Sequence, residues 1–226
     1  MNFNNITPVV KNLLIINVLV YFGASTILGS EFTRYGFISD GIINKYLAVH
    51  YPTSDFFKPV QLISYMFMHG SFTHILFNMF GLYMFGPPVE YIWGARRFLI
   101  YYLLTGFGAL VLDFAVKFYQ LNYTDISPEL ASDILNTPMV GASGAIFGLL
   151  AAYGFLFPNN IIMPLFPPIP MKAKYFVMIY GGIELYAGIS NMSGSTSNIA
   201  HFAHVGGALF GVLLMLYWNN GGKLGK

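Results

Sequence analysis

The sequence contains no cysteine, and only 9% of its 226 residues are charged. The absence of cysteine excludes disulfides, thiol nucleophiles and metal sites with cysteine ligands. A typical soluble domain carries about 25% charged residues, so this chain has few of the groups that keep a protein surface in water. Its net charge of +2 is small and its basic residues form no patch, which argues against a nucleic-acid partner.

Long hydrophobic runs occupy most of the chain. They predict membrane-spanning helices over residues 9–28, 72–89, 98–116, 139–157, 175–189 and 199–218. Most of these runs reach the roughly 17–25 residues that a helix needs to cross a bilayer, and the fifth is the least hydrophobic because it contains Glu184. The sequence therefore predicts an all-α, polytopic membrane protein: a six-helix bundle that forms a single domain over residues 1–226 and contacts the lipid bilayer.

Basic residues indicate how the predicted bundle is oriented. With six spans both termini lie on one side, and that side holds most of the lysine and arginine: Lys11, Arg96, Arg97, Lys172, Lys174, Lys223 and Lys226. Such an excess marks the cytoplasmic side, and we expect a bacterial inner membrane. Residues 29–71 are then a long outer loop, residues 119–138 a second outer loop, and residues 219–226 a short polar cytoplasmic tail.

Polar side chains inside the spans are the candidate functional residues, because polar groups are costly in a bilayer. Ser143 lies near the start of the fourth span and His204 near the start of the sixth, while His74 and Asn78 lie early in the second. These three spans run in the same direction, so all four side chains fall at a comparable depth near the outer surface. A serine beside a histidine offers a nucleophile and its base.

Each of these features also has a structural explanation. Small residues are common where membrane helices pack, and His204 or the polar pair in the second span could simply bond neighbouring helices. His69, His201 and Glu184 are interpreted as structural on the same grounds. Two G-x-x-x-G pairs occur, Gly144 with Gly148 and Gly207 with Gly211. They would let the fourth and sixth spans approach closely and bring Ser143 near His204.

Several motifs follow one another in order between residues 59 and 216. They are His69-Gly-Ser-Phe-Thr-His74-Ile-Leu-Phe-Asn78, Gly86-Pro-Pro-Val-Glu90, then Gly94 with Arg96-Arg97, then Gly141-Ala-Ser-Gly144, and Ala203-His204-Val-Gly-Gly207 with Gly211. Each motif is modest alone, but the ordered set resembles the rhomboid family of intramembrane serine proteases.

The resemblance implies that Ser143 is the nucleophile, His204 the general base, and His74 and Asn78 the side chains that stabilise the oxyanion. The backbone N–H of Ser143, at a helix N-terminus, would be a third oxyanion donor. Phe147 stands where many members have a tyrosine, and we expect its ring to pack on His204. Further residues are expected to support the site: His69, Gly141, Gly144, Gly207 and Gly211. Val60-Gln61 stand where the family often has Trp-Arg, so the anchoring of the first loop is left open.

The expected activity is that of a serine endopeptidase that cleaves the transmembrane segments of membrane proteins near their outer end, without a metal or another cofactor. Asp113 and Glu184 belong to spans that run the opposite way, so we expect a Ser-His dyad with no acidic third member. Two other functions remain open: a weak or inactive rhomboid-like protein that binds membrane-protein clients, and a small-solute transporter, which also places polar groups within the membrane. A metalloprotease is disfavoured because the H-E-x-x-H motif is absent.

Overall fold

A computed structural model of the chain describes residues 6–27, 42–164, 168–190 and 197–220, and these are mostly helical. The helices are α1 Pro8–Ile27, α2 Ile42–Leu47, α3 Gln61–Ser64, α4 Phe72–Tyr123, α5 Pro128–Asn136, α6 Ser143–Leu156, α7 Ala173–Ser190 and α8 Ser197–Asn220. A 3-10 turn covers Tyr65–Phe67, and the antiparallel strands β1 Ile161–Ile162 and β2 Met171–Lys172 pair between α6 and α7. Residues 29–41 of the predicted first loop and 221–226 of the predicted tail lie outside the described residues.

The second and third predicted spans form one element, α4, which is bent at Gly94. Gly94 has φ 76° and ψ 161°, a non-helical conformation that glycine adopts without steric cost. The limbs on either side, residues 72–93 and 95–123, are about 33 Å and 44 Å long at 1.5 Å per residue. The link predicted between these spans is therefore a kink, and not a separate loop.

The two limbs of α4 run in opposite directions to each other, and both pack along α6. A Cβ on Gly81 in the first limb would meet Ile146, whereas a Cβ on Gly148, further along α6, would meet Thr105 in the second limb. A Cβ on Gly141, just before α6, would meet His74, and one on Gly144 would meet Ala109. Position along this segment therefore rises with position in the first limb and falls with position in the second. This places both limbs beside the residues that begin α6.

Some charged side chains are buried and many large apolar side chains are exposed, which is unusual for a water-soluble protein. Glu90, Asp113 and Lys117 are at most 3% exposed, whereas Leu19 and Met178 are more than 60% exposed. Among the described residues, two helices are long and apolar enough to cross a membrane, Phe72–Tyr123 and Ala200–Asn219. Apolar outer faces around a partly polar interior favour lipid as the solvent of these helices.

Glycines bring α4, α6 and α8 into direct contact. A Cβ on Gly207 would overlap the carbonyl oxygen of Gly144, and a Cβ on Gly144 would overlap the side chain of Ala109. One turn further on, a Cβ on Gly211 would lie 3.2 Å from Cα of Gly148. The backbones of α6 and α8 therefore touch along the two G-x-x-x-G pairs, as small residues permit.

The outer connections are more ordered than the sequence predicts. α4 continues to Tyr123, and α5 occupies much of the predicted loop 119–138. Pro128 begins α5 and the hydroxyl of Ser127 accepts from the N–H of Leu130, at 3.2 Å. These are the residue types that start helices, so the second outer loop is largely helical.

Gln61 anchors the described part of the first outer loop. Its side chain is fully buried, and its amide nitrogen donates to the carbonyl oxygens of Lys45 and Phe56, at 3.0 and 2.9 Å. Its amide oxygen accepts from the N–H groups of Lys58 and His50, at 3.0 and 3.3 Å. The residue that replaces the arginine often found in the family thus holds four backbone groups of this loop.

Candidate active site

Ser143 is the first residue of α6, four residues after the start of the predicted span. The chain before it bends at Gly141, whose φ of 121° is rarely adopted by residues with a side chain. The N–H of Gly141 donates to the carbonyl oxygen of Tyr65 at 2.9 Å, and a Cβ at this position would lie 2.7 Å from Nε2 of His74. Backbone conformation and space both require glycine here, and the bend ends at Ser143.

The hydroxyl of Ser143 lies within hydrogen-bond distance of His204. Oγ of Ser143 is 2.9 Å from Nε2 of His204, although the two residues are 61 positions apart. The imidazole stacks on Phe147 with 4.4 Å between ring centroids and 6° between planes. Phe147 follows Ser143 by four residues and shares its helix face, so one stripe of α6 contacts both an edge and a face of the imidazole.

His74 and Asn78 face the bend at Gly141. A Cβ on Gly141 would be 2.7 Å from Nε2 of His74 and 3.7 Å from Nδ2 of Asn78. The amide nitrogen of Asn78 is buried and has no hydrogen-bond partner. Buried polar groups are nearly always paired, so this donor is available to a group that is not part of the resting protein.

His69 lies behind His74, outside the helix. Its ring is buried and makes an edge contact with His74 at 5.0 Å between centroids. Burial, together with the charge that His74 can carry, lowers the pKa of His69 to about 3. A neutral ring in this position packs against the ring of His74.

Glu184 is part of the site, which corrects the expectation of an isolated dyad. Its Oε2 lies 3.0 Å from Nδ1 of His204 and 2.6 Å from Nδ1 of His201. A carboxylate oxygen therefore contacts Nδ1 of His204, the ring nitrogen that does not contact Ser143. His201 and Glu184, interpreted above as structural, are the two site residues that sequence reasoning missed.

Glu184 was excluded from the site because its span runs in the opposite direction to those of Ser143 and His204, and this reasoning was wrong. α7 and α8 are consecutive helices that run in opposite directions. Two residues that are equally far along the chain from the connection between them therefore lie at a similar depth. Glu184 is six residues before the end of α7 at Ser190, and His204 is seven residues after the start of α8 at Ser197. At 1.5 Å per residue these are about 9 and 10 Å along the helices, so the equal spacing was the signal available in the sequence.

The same three side chains are also close enough together to hold a metal ion. Within the described residues, Glu184, His201 and His204 each offer a ligand atom, and these atoms lie within 4.8 Å of one another. Both imidazoles contact the same carboxylate oxygen at hydrogen-bond distance. The cluster is thus internally bonded, and we interpret it as a hydrogen-bond network.

Comparison with known proteins identifies the family. The family model of the rhomboid domain matches residues 57–220, most of the chain. This chain belongs to the rhomboid family. That assignment confirms the resemblance drawn from the ordered motifs, and it makes this rhomboid a member of a family of membrane proteins.

Curated relatives include proteins named as proteases. The chain is 28% identical over 151 residues to Rhomboid protease AarA of Providencia stuartii, covering 67% of this chain and 53% of the relative. It is 28% identical to Rhomboid protease GluP of Bacillus subtilis, covering 67% and 24%, and 29% identical to Rhomboid protein 1, mitochondrial, of Saccharomyces cerevisiae, covering 70% and 41%. The aligned part thus spans between about a quarter and about half of these relatives.

Proposed function

We propose that this rhomboid is an intramembrane serine endopeptidase, with Ser143 as the nucleophile and His204 as the general base. The observation that carries the proposal is the 2.9 Å contact between Oγ of Ser143 and Nε2 of His204, formed between the starts of two different helices. A serine hydroxyl is a weak nucleophile until a base removes its proton, and this contact supplies the base.

Peptide cleavage would proceed through an acyl-enzyme. Oγ of Ser143 attacks the carbonyl carbon of the substrate while its proton passes to Nε2 of His204. When the C–N bond breaks, that proton moves to the leaving amine and an ester remains on Ser143. Water then attacks the ester with His204 again as the base, which releases the acid product and restores the serine.

The negative charge formed on the substrate oxygen needs donors that are already in place. Three donors surround the start of α6: the unpartnered amide of Asn78, the ring of His74 and the backbone N–H of Ser143. The first N–H groups of a helix have no partner within it, and the helix dipole favours an anion there. We assign these groups to the oxyanion.

Water and substrate would reach the site by different routes. The side chains of His201 and His204 are 32% and 21% exposed, so water reaches the imidazoles from the outer surface. A transmembrane substrate would approach sideways from the lipid. A helix satisfies its own amides, so cleavage requires local unwinding, which is most favourable near the outer end of the substrate.

We also propose six spans in a bacterial inner membrane, with both termini in the cytoplasm. The support is the excess of lysine and arginine on the inner side. Reporters fused after Lys226 and within residues 158–174 should both report the cytoplasm, and one inserted near Asp125 should report the outside. Finding the C-terminus and Asp125 on the same side would contradict this topology.

Labelling with a serine-directed fluorophosphonate tests the proposed activity. The purified protein should be labelled and should cleave a transmembrane substrate in proteoliposomes, whereas Ser143→Ala should do neither. Ser132→Ala is the matched control, because Ser132 lies in α5 and its hydroxyl accepts from the side-chain nitrogen of Asn136, at 3.3 Å. A folded wild type that neither labels nor cleaves would instead favour a client-binding rhomboid without activity.

A further inference from the structure

A single carboxylate oxygen on α7 holds two imidazoles of α8. Oε2 of Glu184 is 2.6 Å from Nδ1 of His201 and 3.0 Å from Nδ1 of His204. The exposed fractions of the three side chains are 15%, 32% and 21%, so all three are partly buried. Charge-assisted hydrogen bonds are strong under such conditions.

The cluster determines which nitrogen of His204 carries the hydrogen. An ionised carboxylate can only accept hydrogen bonds, so each Nδ1 that contacts Glu184 must be the donor. A neutral imidazole with hydrogen on Nδ1 has its lone pair on Nε2. Nε2 is the atom 2.9 Å from Ser143, so the tautomer that Glu184 selects is the one that can take the serine proton.

Stacking on Phe147 does not make this selection. A parallel contact at 4.4 Å fixes the plane of the imidazole, but a half-turn about the bond to the ring keeps that plane. The half-turn would replace Nε2 by a carbon atom opposite Ser143. A hydrogen-bond partner on the side of Nδ1 does distinguish the two orientations, and Glu184 is in that position.

We propose that Glu184 is a positioning residue for His204, and that His201 orients the carboxylate through its shorter contact. The proposal rests on the protease function proposed above. As Oγ of Ser143 bonds to the substrate carbon, its proton moves to Nε2 of His204, and the imidazolium keeps its Nδ1 hydrogen on Glu184. As the C–N bond breaks, the Nε2 proton moves to the leaving amine. Glu184 stays ionised throughout and neither gains nor loses a proton.

Replacement of Glu184 by glutamine should separate turnover from binding. The amide can accept from Nδ1 or donate to it, so both tautomers of His204 become populated. Loss of the aspartate from soluble serine-protease triads costs about 10⁴-fold in kcat. We expect a smaller fall of about 10²–10³-fold, since Phe147 still holds the ring plane, with KM changed by less than about two-fold. Glu184→Asp should recover part of kcat, and His201→Gln should lower it by about three- to ten-fold.

The matched control is Glu90→Gln. Glu90 is also a buried carboxylate within a helix, but it accepts from Thr7, Val9 and Val10 at the start of α1. This variant should lower the melting temperature and leave kcat unchanged. If the contacts of Glu184 only clamp α7 to α8, Glu184→Gln will behave in the same way, and the proposal is overturned.

Nitrogen-15 NMR of labelled histidine gives a readout that does not depend on turnover or on the folding of the Glu184 variants. In the wild type and in Ser143→Ala, His204 should carry its hydrogen on Nδ1; hydrogen on Nε2 would overturn the proposal. A wild type that is inactive would refute the protease function. An active wild type whose Glu184→Gln variant retains full kcat would refute only the role of Glu184.

Discussion

Replacing Asn78 by alanine should lower the rate of catalysis with little effect on the stability of the protein. Its amide nitrogen is buried without a partner, so Asn78→Ala removes a donor that makes no hydrogen bond in the resting protein. A missing oxyanion donor costs roughly 10²–10³-fold in kcat elsewhere. Two other donors remain here, so we expect the lower end, about 100-fold, which corresponds to about 2.7 kcal/mol of transition-state stabilisation. The oxyanion exists only in the transition state, and KM should therefore change little.

The stability of the same variant should be nearly unchanged. Removing an unsatisfied buried amide relieves a penalty of about 1–3 kcal/mol, which offsets the lost packing of a small side chain. Turnover of a transmembrane substrate, fluorophosphonate labelling of Ser143 and the melting temperature would be measured on one preparation. Labelling should persist at a reduced rate. Full turnover with a lowered melting temperature would refute the reasoning and make Asn78 a structural clamp.

Three further predictions concern the dyad, a buried histidine and the first loop. The double variant Ser143→Ala/His204→Ala should be no slower than either single variant, because the two side chains act as a unit; additive losses of turnover would contradict this. The pKa of His69 is lowered to about 3, so below its unfolded value of about 6.5 only the unfolded state binds the proton. Stability should fall by about 2 kcal/mol from about pH 7 to about pH 5, and melting curves of His69→Phe should show a weaker dependence on pH; an equally steep dependence would exclude His69 as its source. Gln61→Ala should lower the melting temperature because it removes the partner of four backbone groups, and Gln61→Glu should lower it too because a carboxylate cannot donate to the carbonyl oxygens of Lys45 and Phe56; unchanged melting temperatures would contradict the anchor.

The family and the helical class could be predicted from the sequence because both depend on local patterns. Apolar runs of sufficient length predict helices wherever they occur, and the motifs around Ser143 and His204 are contiguous. The approach of α6 to α8 was also predictable, since glycine spaced by four places its backbone on one helix face. Gly144 and Gly207 are the closest point of that contact.

Other features depend on tertiary relations that these patterns do not encode. The bend of α4 lies at one residue, Gly94, which has a φ of 76° between two helical limbs. Glu184 was assigned from the direction of its helix, although depth depends on distance from the chain reversal. Gln61 could not be recognised as an anchor, because its four partners are backbone groups that become neighbours only after folding.

The first outer loop supports the active site through the backbone. Val49 and Met139 exchange two hydrogen bonds, at 3.0 and 2.8 Å, and the carbonyl oxygen of Tyr65 accepts from the N–H of Gly141. The segment that sets the bend before Ser143 is thus paired with residues of the loop on both sides of Gln61. A shift of that loop would move the Gly141 bend relative to His74 and Asn78 on α4. The proposed oxyanion donors and the proposed nucleophile therefore come from separate elements, and this loop contributes to their relative position.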